Sequence, residues 1–336
     1  MKLIITIDTE EDNWGHYSPT GHTLDNVRRI LSLQQLFDDY HVRPTYLLTY
    51  TVAEDASSVS ILKSVFDKDK CDIGTHYHPW NTPPIDPLEA ENRKRNSMLS
   101  NLPSELQFKK INCLHETIQK NFGMEPIGFR SGRWGYNHDT AKSLHRLGYK
   151  IDSSVLPYTD WSQEYGPDFT DLNPQPYRFS PENIFQESPN GPLLEIPASV
   201  GYLQQNFMWC NWLSKTLKRE PVKRLRLIGI LHRLRLLNKV WLSPEVSNSK
   251  DMIKLARRMI KNNYKVINMF FHSPSLKAGL TPFVKTKDDE RRFLQQIREV
   301  LSFAQDEGIE PIKLSQAVED VLYSEESSGA LPSIYS

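Results

Sequence analysis

Short apolar runs alternate with helix-spaced segments from one end of this chain to the other, and no other feature constrains its fold as much. Residues 3–7, 44–49, 71–76, 127–130, 149–155, 193–200 and 266–271 read as strands. Segments 24–40, 58–66, 106–122, 138–147, 250–262 and 286–307 carry apolar residues at helical spacing, and Gly123 and Gly148 stand just past two of the expected helix ends. A last strand starts at 311–314. Strand-helix alternation implies a parallel sheet or barrel with right-handed crossovers. The expectation is one α/β barrel domain over 1–322, with an irregular and basic insertion at about 157–247 and a flexible tail at 323–336.

The 41 basic and 41 acidic residues cancel, so global charge gives no reason to expect a polyanion, and nucleic acid is not expected as a partner. Cys71, Cys113 and Cys210 are far apart and form no CxxC pair, which suits free thiols in a reducing compartment. The apolar run at the N-terminus ends in acids and is too short for a signal sequence, and no stretch approaches the roughly 18 apolar residues of a membrane span. These features lead to the expectation of a cytoplasmic protein.

Polar residues collect where the strands end, the part of such folds that builds sites. Asp8 and Glu10 follow the first strand at i, i+2 spacing, so an extended backbone turns both carboxylates to one side. Such a pair repels unless a proton or cation lies between its members. A base beside a metal ligand is one solution; an acidic turn continuing through Glu11 and Asp12 is the other. His76 and His78 repeat the spacing after the third strand and suit a borderline metal such as Zn2+. Pro79 and Trp80 then open a stiff loop with an aromatic wall. Arg130, Arg133 and Trp134 lie in a Gly-broken loop, where a buried arginine near Asp8 would keep that carboxylate ionised. Asp152 is either a supporting residue or part of a polar turn. His272 emerges from an apolar strand and suits a general acid.

Together these residues resemble the NodB-type polysaccharide deacetylases. The matching segments are Thr6-Ile7-Asp8-Thr9-Glu10, Asp72-Ile73-Gly74-Thr75-His76-Tyr77-His78-Pro79, Phe129-Arg130-Ser131-Gly132-Arg133, Tyr149-Lys150-Ile151-Asp152-Ser153-Ser154 and Phe270-Phe271-His272-Ser273-Pro274. They occur in the family's order over residues 3–314. The resemblance implies a distorted (β/α)7 barrel, a divalent metal held by Glu10, His76 and His78, Asp8 as base, Arg130 tuning it, and His272 as acid. Beside these, Trp80, Arg133, Trp134 and Asp152 are expected to bind substrate or support the site. The activity implied is N-deacetylation of an amino sugar, and the chain looks most like a branch found with lipopolysaccharide and exopolysaccharide genes. Three departures stand out. Thr9 separates the two acids that the family has side by side, the histidines are one residue apart instead of three, and Gly132 stands at a usual proline.

Between Lys215 and Lys239 lie Lys218, Arg219, Lys223, Arg224, Arg226, Arg233 and Arg235, interleaved with leucines and isoleucines, with Glu220 the only acid. A basic amphipathic helix of this kind suits an anionic membrane surface or glycolipid, and peripheral attachment at the inner membrane; the alternative is a solvated helix packed on the barrel by its leucines. Trp14, Trp80, Trp134 and Trp161 near the candidate loops favour a sugar. Two other readings stay open: an amidohydrolase acting on a small cyclic amide or imide, and a non-catalytic carbohydrate-binding barrel.

Overall fold

The computed structural model describes residues 1–12, 14–85, 92–220 and 227–319. The expected tail at 323–336 lies outside them. The strands are β1 (Lys2–Thr9), β2 (Thr45–Leu48), β3 (Asp72–Tyr77), β4 (Gly128–Ser131), β5 (Ile151–Asp152), β6 (Tyr177–Phe179), β7 (Leu193–Glu195), β8 (Val200–Tyr202), β9 (Lys239–Trp241), β10 (Val266–His272) and β11 (Glu310–Pro311). In the main sheet β10-β1-β2-β3-β4-β5-β7 run parallel, β6 is antiparallel on β7, and β11 joins β1. Between β7 and β10 the sheet is bridged by single residues: Ser199 N donates to Asn268 O (3.1 Å), Leu242 N to Ser199 O (2.8 Å) and Phe270 N to Leu242 O (3.1 Å). The result is the expected distorted barrel of α/β type.

The principal helices are α1 (Ile30–Asp39), α2 (Ala56–Phe66), α3 (Ser104–Phe122), α4 (His138–Arg146), α5 (Phe207–Lys218), α6 (Leu227–Arg233), α7 (Ser249–Lys261) and α8 (Lys287–Asp306). Asn137, Asn206 and Asn248 cap α4, α5 and α7, each side chain accepting a backbone N–H of the first turn. The helices cover the outer face of the sheet with one large apolar core. A smaller apolar cluster, including Ile4, Leu47, Ile151, Leu194 and Val266, fills the barrel's floor.

Strand periodicity then fixes what stands above that floor. Along β1 and just past it, Ile4, Thr6, Asp8 and Glu10 share one face. Arg130 meets both Thr6 and Ser153 inside the barrel, and so does Asn268. The interior therefore changes from apolar at the bottom to polar, and then to ionised, at the C-terminal strand ends.

Two expected elements divide. The strand expected at 193–200 becomes β7 in the main sheet and β8 in a separate pair with β9. Pro197, which has no N–H for a ladder, lies between them. Part of the expected insertion, β7, is thus a strand of the barrel. The basic stretch from Lys215 to Lys239 is likewise not one helix: α5 ends at Lys218, where Arg219 turns to extended backbone, and α6 follows as a separate piece. Residues 221–226, with Lys223, Arg224 and Arg226, lie outside the described residues.

Candidate active site

Asp8 and His272 are register partners on β1 and β10, and His76 and Arg130 are register partners on β3 and β4. Neighbouring parallel strands thus bring together residues more than 260 positions apart. Arg130 is fully buried, and each of its guanidinium nitrogens has a partner. Nη1 donates to Asp8 Oδ1 (2.8 Å), Nη2 to Thr6 Oγ1 (2.7 Å) and Ser153 Oγ (2.8 Å), and Nε to Ser153 O (2.9 Å). Burial alone would raise the Asp8 carboxyl, but Arg130, His76 and His272 outweigh it and hold Asp8 below the usual carboxylate range.

Glu10, His76 and His78 form the one cluster among the described residues whose ligand atoms lie within 4.8 Å of one another. Glu10 Oε2 is 3.4 Å from His76 Nε2 and 3.1 Å from His78 Nε2. The other ring nitrogens are already engaged. His76 Nδ1 lies 3.2 Å from Arg130 O, and His78 Nδ1 lies 2.9 Å from Glu11 Oε1. Donation at Nδ1 leaves each Nε2 lone pair free and aimed at the same point, the orientation that metal-bound histidines take from their outer partners. Two imidazoles and one carboxylate, with room for a water, match the donor set of an open zinc-type site. The residues present therefore fit a divalent metal.

Two close approaches make the histidine arrangement possible. A Cβ at Gly132 would lie 2.5 Å from His78 Cδ2 and 2.6 Å from Tyr77 O, and one at Gly74 would lie 2.6 Å from Leu47 Cδ2. A proline at 132 would collide with the histidine that this chain uses.

Two acids were not singled out by sequence reasoning. Glu11 was read only as part of an acidic turn. Its Oε1 accepts from His78 Nδ1, Trp80 Nε1 (3.1 Å) and Asn81 Nδ2 (2.8 Å). Burial opposes the charge, but His78, a backbone N–H and Trp80 pull the carboxyl down to about 2. Glu245 was unmarked within the irregular insertion. Its Oε2 lies 2.9 Å from His272 Nδ1, while Oε1 accepts from Ser275 Oγ (2.5 Å) and His272 N (3.2 Å). Although burial disfavours the imidazolium, Glu245, Glu10 and Asp8 push His272 up to about 10. Its Nε2 stands 3.7 Å from Asp8 Oδ2.

A cavity of about 370 Å³ opens over these groups, lined by Trp14, Trp80, Arg133, Trp134, Trp161 and Trp241 among others. Trp14 meets His272 edge-on at 4.5 Å, and Trp80 stacks on His78 at 4.0 Å. Arg133 and Trp134 both adopt left-handed backbone, with φ of 54° and 63°, which costs bulky residues energy. Arg133 uses that turn to reach Ser97 and Lys94 O and to lie 4.8 Å over the Tyr17 ring, tying three loops together.

Asp152 sits elsewhere. Ile151 and Ser153 face the barrel, so Asp152 faces the outer core, where it is fully buried opposite its register partner Glu195. Burial raises both carboxyls: Asp152 to about 6, and Glu195 well above the usual range through burial and then Asp152 itself. The cavity lining does not include Asp152.

No family model and no curated protein matches the chain. Solved structures do. A protein from Mycobacterium smegmatis assigned as a polysaccharide deacetylase superposes with a TM-score of 0.51 at 15% identity, over 100% of this chain and 93% of that one. A 4-alpha-glucanotransferase from Thermococcus litoralis gives 0.48 at 15% identity, over 99% of this chain and 41% of that one. A peptidoglycan deacetylase from Bacillus subtilis gives 0.42 at 14% identity, over 97% and 94%. The first likeness shows the fold: this chain shares the distorted α/β barrel of that structure, the architecture that the resemblance implied.

Proposed function

We propose that this protein is a metal-dependent deacetylase that removes N-acetyl groups from an amino sugar of a bacterial surface polysaccharide, lipopolysaccharide or their precursors. One observation carries the reading: Asp8 and His272 flank a three-ligand cluster at the base of a tryptophan-lined cavity. The Mycobacterium smegmatis barrel assigned as a polysaccharide deacetylase supports it. Glu10, His76 and His78 would hold the divalent ion, most simply Zn2+, which when bound polarises an acyl carbonyl and acidifies a water.

The chain's own residues do the rest. Asp8, kept ionised and oriented by Arg130, takes the proton of the water that adds to the carbonyl carbon. His272 starts as the imidazolium, held by Glu245, and its Nε2 gives a proton to the amide nitrogen as the C–N bond breaks. The products are a free amine and acetate, with one water consumed. Trp80, Trp134 and Trp161 offer apolar faces for a pyranose ring, and Arg133 anchors the loops that carry them. Asp152, paired with Glu195 behind the sheet, supports the wall and does not contact substrate in this reading.

Among the described residues, no helix is long and apolar enough to cross a membrane. The cations between Lys215 and Lys239 support a cytoplasmic protein that works on a lipid-linked sugar near the inner membrane. The test is acetate release from N-acetylglucosamine-containing oligosaccharides and lipopolysaccharide precursors, with metal analysis of the purified protein. Asp8→Asn and His272→Ala should each lower the rate by about 10²-fold or more. Full acetate release by both variants would sink the assignment.

A further inference from the structure

Outside the active site, the largest set of exposed apolar side chains belongs to α5 and α6. α5 buries Phe207 and Cys210 and turns Met208, Trp209 and Trp212 outward, at 77%, 52% and 60% exposure. Beside it, in and just after α6, Ile230, Leu234 and Leu236 are each more than half exposed. Soluble proteins rarely leave two tryptophans and four aliphatic side chains together in water without a use for them.

The charge on this face says what would cover it. Met208, Trp212 and Lys215 recur at i, i+4 and i+7, so a cation continues the same helical stripe as the apolar residues, and Lys218 and Arg219 follow exposed at the end of the helix. Lys218, Arg219 and Arg233 make no ion pair among the described residues, while Lys215 reaches Asp171 and Arg235 reaches Asp251. A second copy of the chain would bring like charges against like, which disfavours self-association. An anionic bilayer satisfies both features: tryptophan rings settle at the headgroup level, and lysine and arginine reach the phosphates.

We infer that the α5–α6 face docks on an anionic lipid surface, with Trp209 and Trp212 as its anchors. The dock is coupled to the cavity through the 157–172 loop. Asn211 Nδ2 of α5 donates to Thr170 O (2.7 Å), and Lys239 Nζ of β9 donates to Tyr158 O (2.9 Å). Trp161 of that loop lines the cavity. A docked protein thus holds its substrate cavity beside the membrane, where a lipid-linked sugar arrives.

The experiment uses the full chain with phosphatidylcholine vesicles, with and without phosphatidylglycerol, read by co-sedimentation and by tryptophan quenching with brominated lipid. Wild type should bind only vesicles containing phosphatidylglycerol, and added salt should weaken binding. Trp209→Ser with Trp212→Ser should weaken it at least tenfold, and Lys218→Glu with Arg219→Glu should abolish the anionic preference. Both pairs are exposed, so melting temperature and circular dichroism should match wild type. Absence of binding by wild type, or equal binding by the Trp209/Trp212 variant, would overturn the inference. A wild-type dimer by light scattering that the same variant converts to monomer would overturn it too, by assigning the face to a second copy.

Discussion

Glu11→Gln isolates the least expected part of the site. The substitution keeps the shape and one acceptor oxygen, so the bonds from His78 Nδ1, Trp80 Nε1 and Asn81 Nδ2 can persist while the charge is lost. A carboxylate behind a histidine raises its basicity and fixes its ring, and losing such a partner costs about 10- to 100-fold in metal affinity, or roughly 1.4–2.7 kcal/mol. Stability should fall as well. The Glu11 carboxyl drops from an ordinary 4.5 to about 2 on folding. A lowered carboxylate contributes stability that is present above pH 4.5 and is lost as pH falls toward 2. The shift is worth about 3 kcal/mol as an upper bound. His78, raised to about 9, is the other side of the same contact, so the contribution is counted once. Zinc affinity is read by competition with a chromophoric chelator, and stability by urea melts from pH 7 down to pH 3. The expected result is weaker zinc binding and a wild-type advantage in stability that shrinks with acid. Zinc affinity within about twofold of wild type, while His78→Ala loses it, would refute the role given to Glu11.

Glu245→Gln should lower kcat by roughly 10- to 100-fold with KM little changed, because His272 keeps its place but loses the charge that keeps it protonated. The alkaline limb of the pH–rate profile should move to lower pH, and steady-state rates from pH 6 to 10 check it. Glu195→Gln should stabilise the protein, increasingly so at higher pH. Its raised carboxyl keeps a proton that the unfolded chain releases, so wild-type stability falls by up to about 1.4 kcal/mol per pH unit above the ordinary carboxylate range. Thermal melts of both proteins at pH 5 and pH 8 measure the difference. Gly132→Ala should cost about 1–3 kcal/mol and weaken metal binding, since its Cβ meets His78 and the Tyr77 carbonyl.

Outside the 157–247 stretch, the order of strands and helices was legible because each is written in local periodicity, and the barrel followed from their alternation. Asp8, Glu10, His76, His78, Arg130 and His272 were legible because each stands at a strand end with an unusual side chain for that position. Glu11 and Glu245 were not. Glu11 lies in an acidic run whose solvated and buried forms have the same letters, and only the turn after β1 buries it against the loop at Trp80. Glu245 follows β9 in a stretch without periodicity, and its tie to His272 spans 27 residues. Which of the roles expected of Asp152 is open to it could also be read in the sequence. Strand parity assigns Asp152 and Ser153 to opposite faces, and Ser153 is the one that meets Arg130. The split of 215–239 into two helices was hidden because amphipathic spacing does not record where a helix ends.

The balance of charge gives the metal its own argument. Four buried carboxylates, Asp8, Glu10, Glu11 and Glu245, converge around the cavity floor. Arg130 is a permanent cation, and His272, pushed up to about 10, supplies a second. The site as built is therefore short by two positive charges, and buried charge without compensation is costly. Protonating His78, which is pushed up to about 9, meets half of that shortfall. A divalent cation between Glu10, His76 and His78 meets all of it while leaving His78 neutral as a ligand. Chelation should then lower the melting temperature. At a free zinc concentration of 1,000 times Kd the loaded protein should gain about 4 kcal/mol over the stripped one. Glu10→Gln should erase most of that gain, since it removes a ligand and one of the charges that the ion offsets. Coincident melting curves for zinc-loaded and chelated wild type would show that the four carboxylates are balanced by some other means.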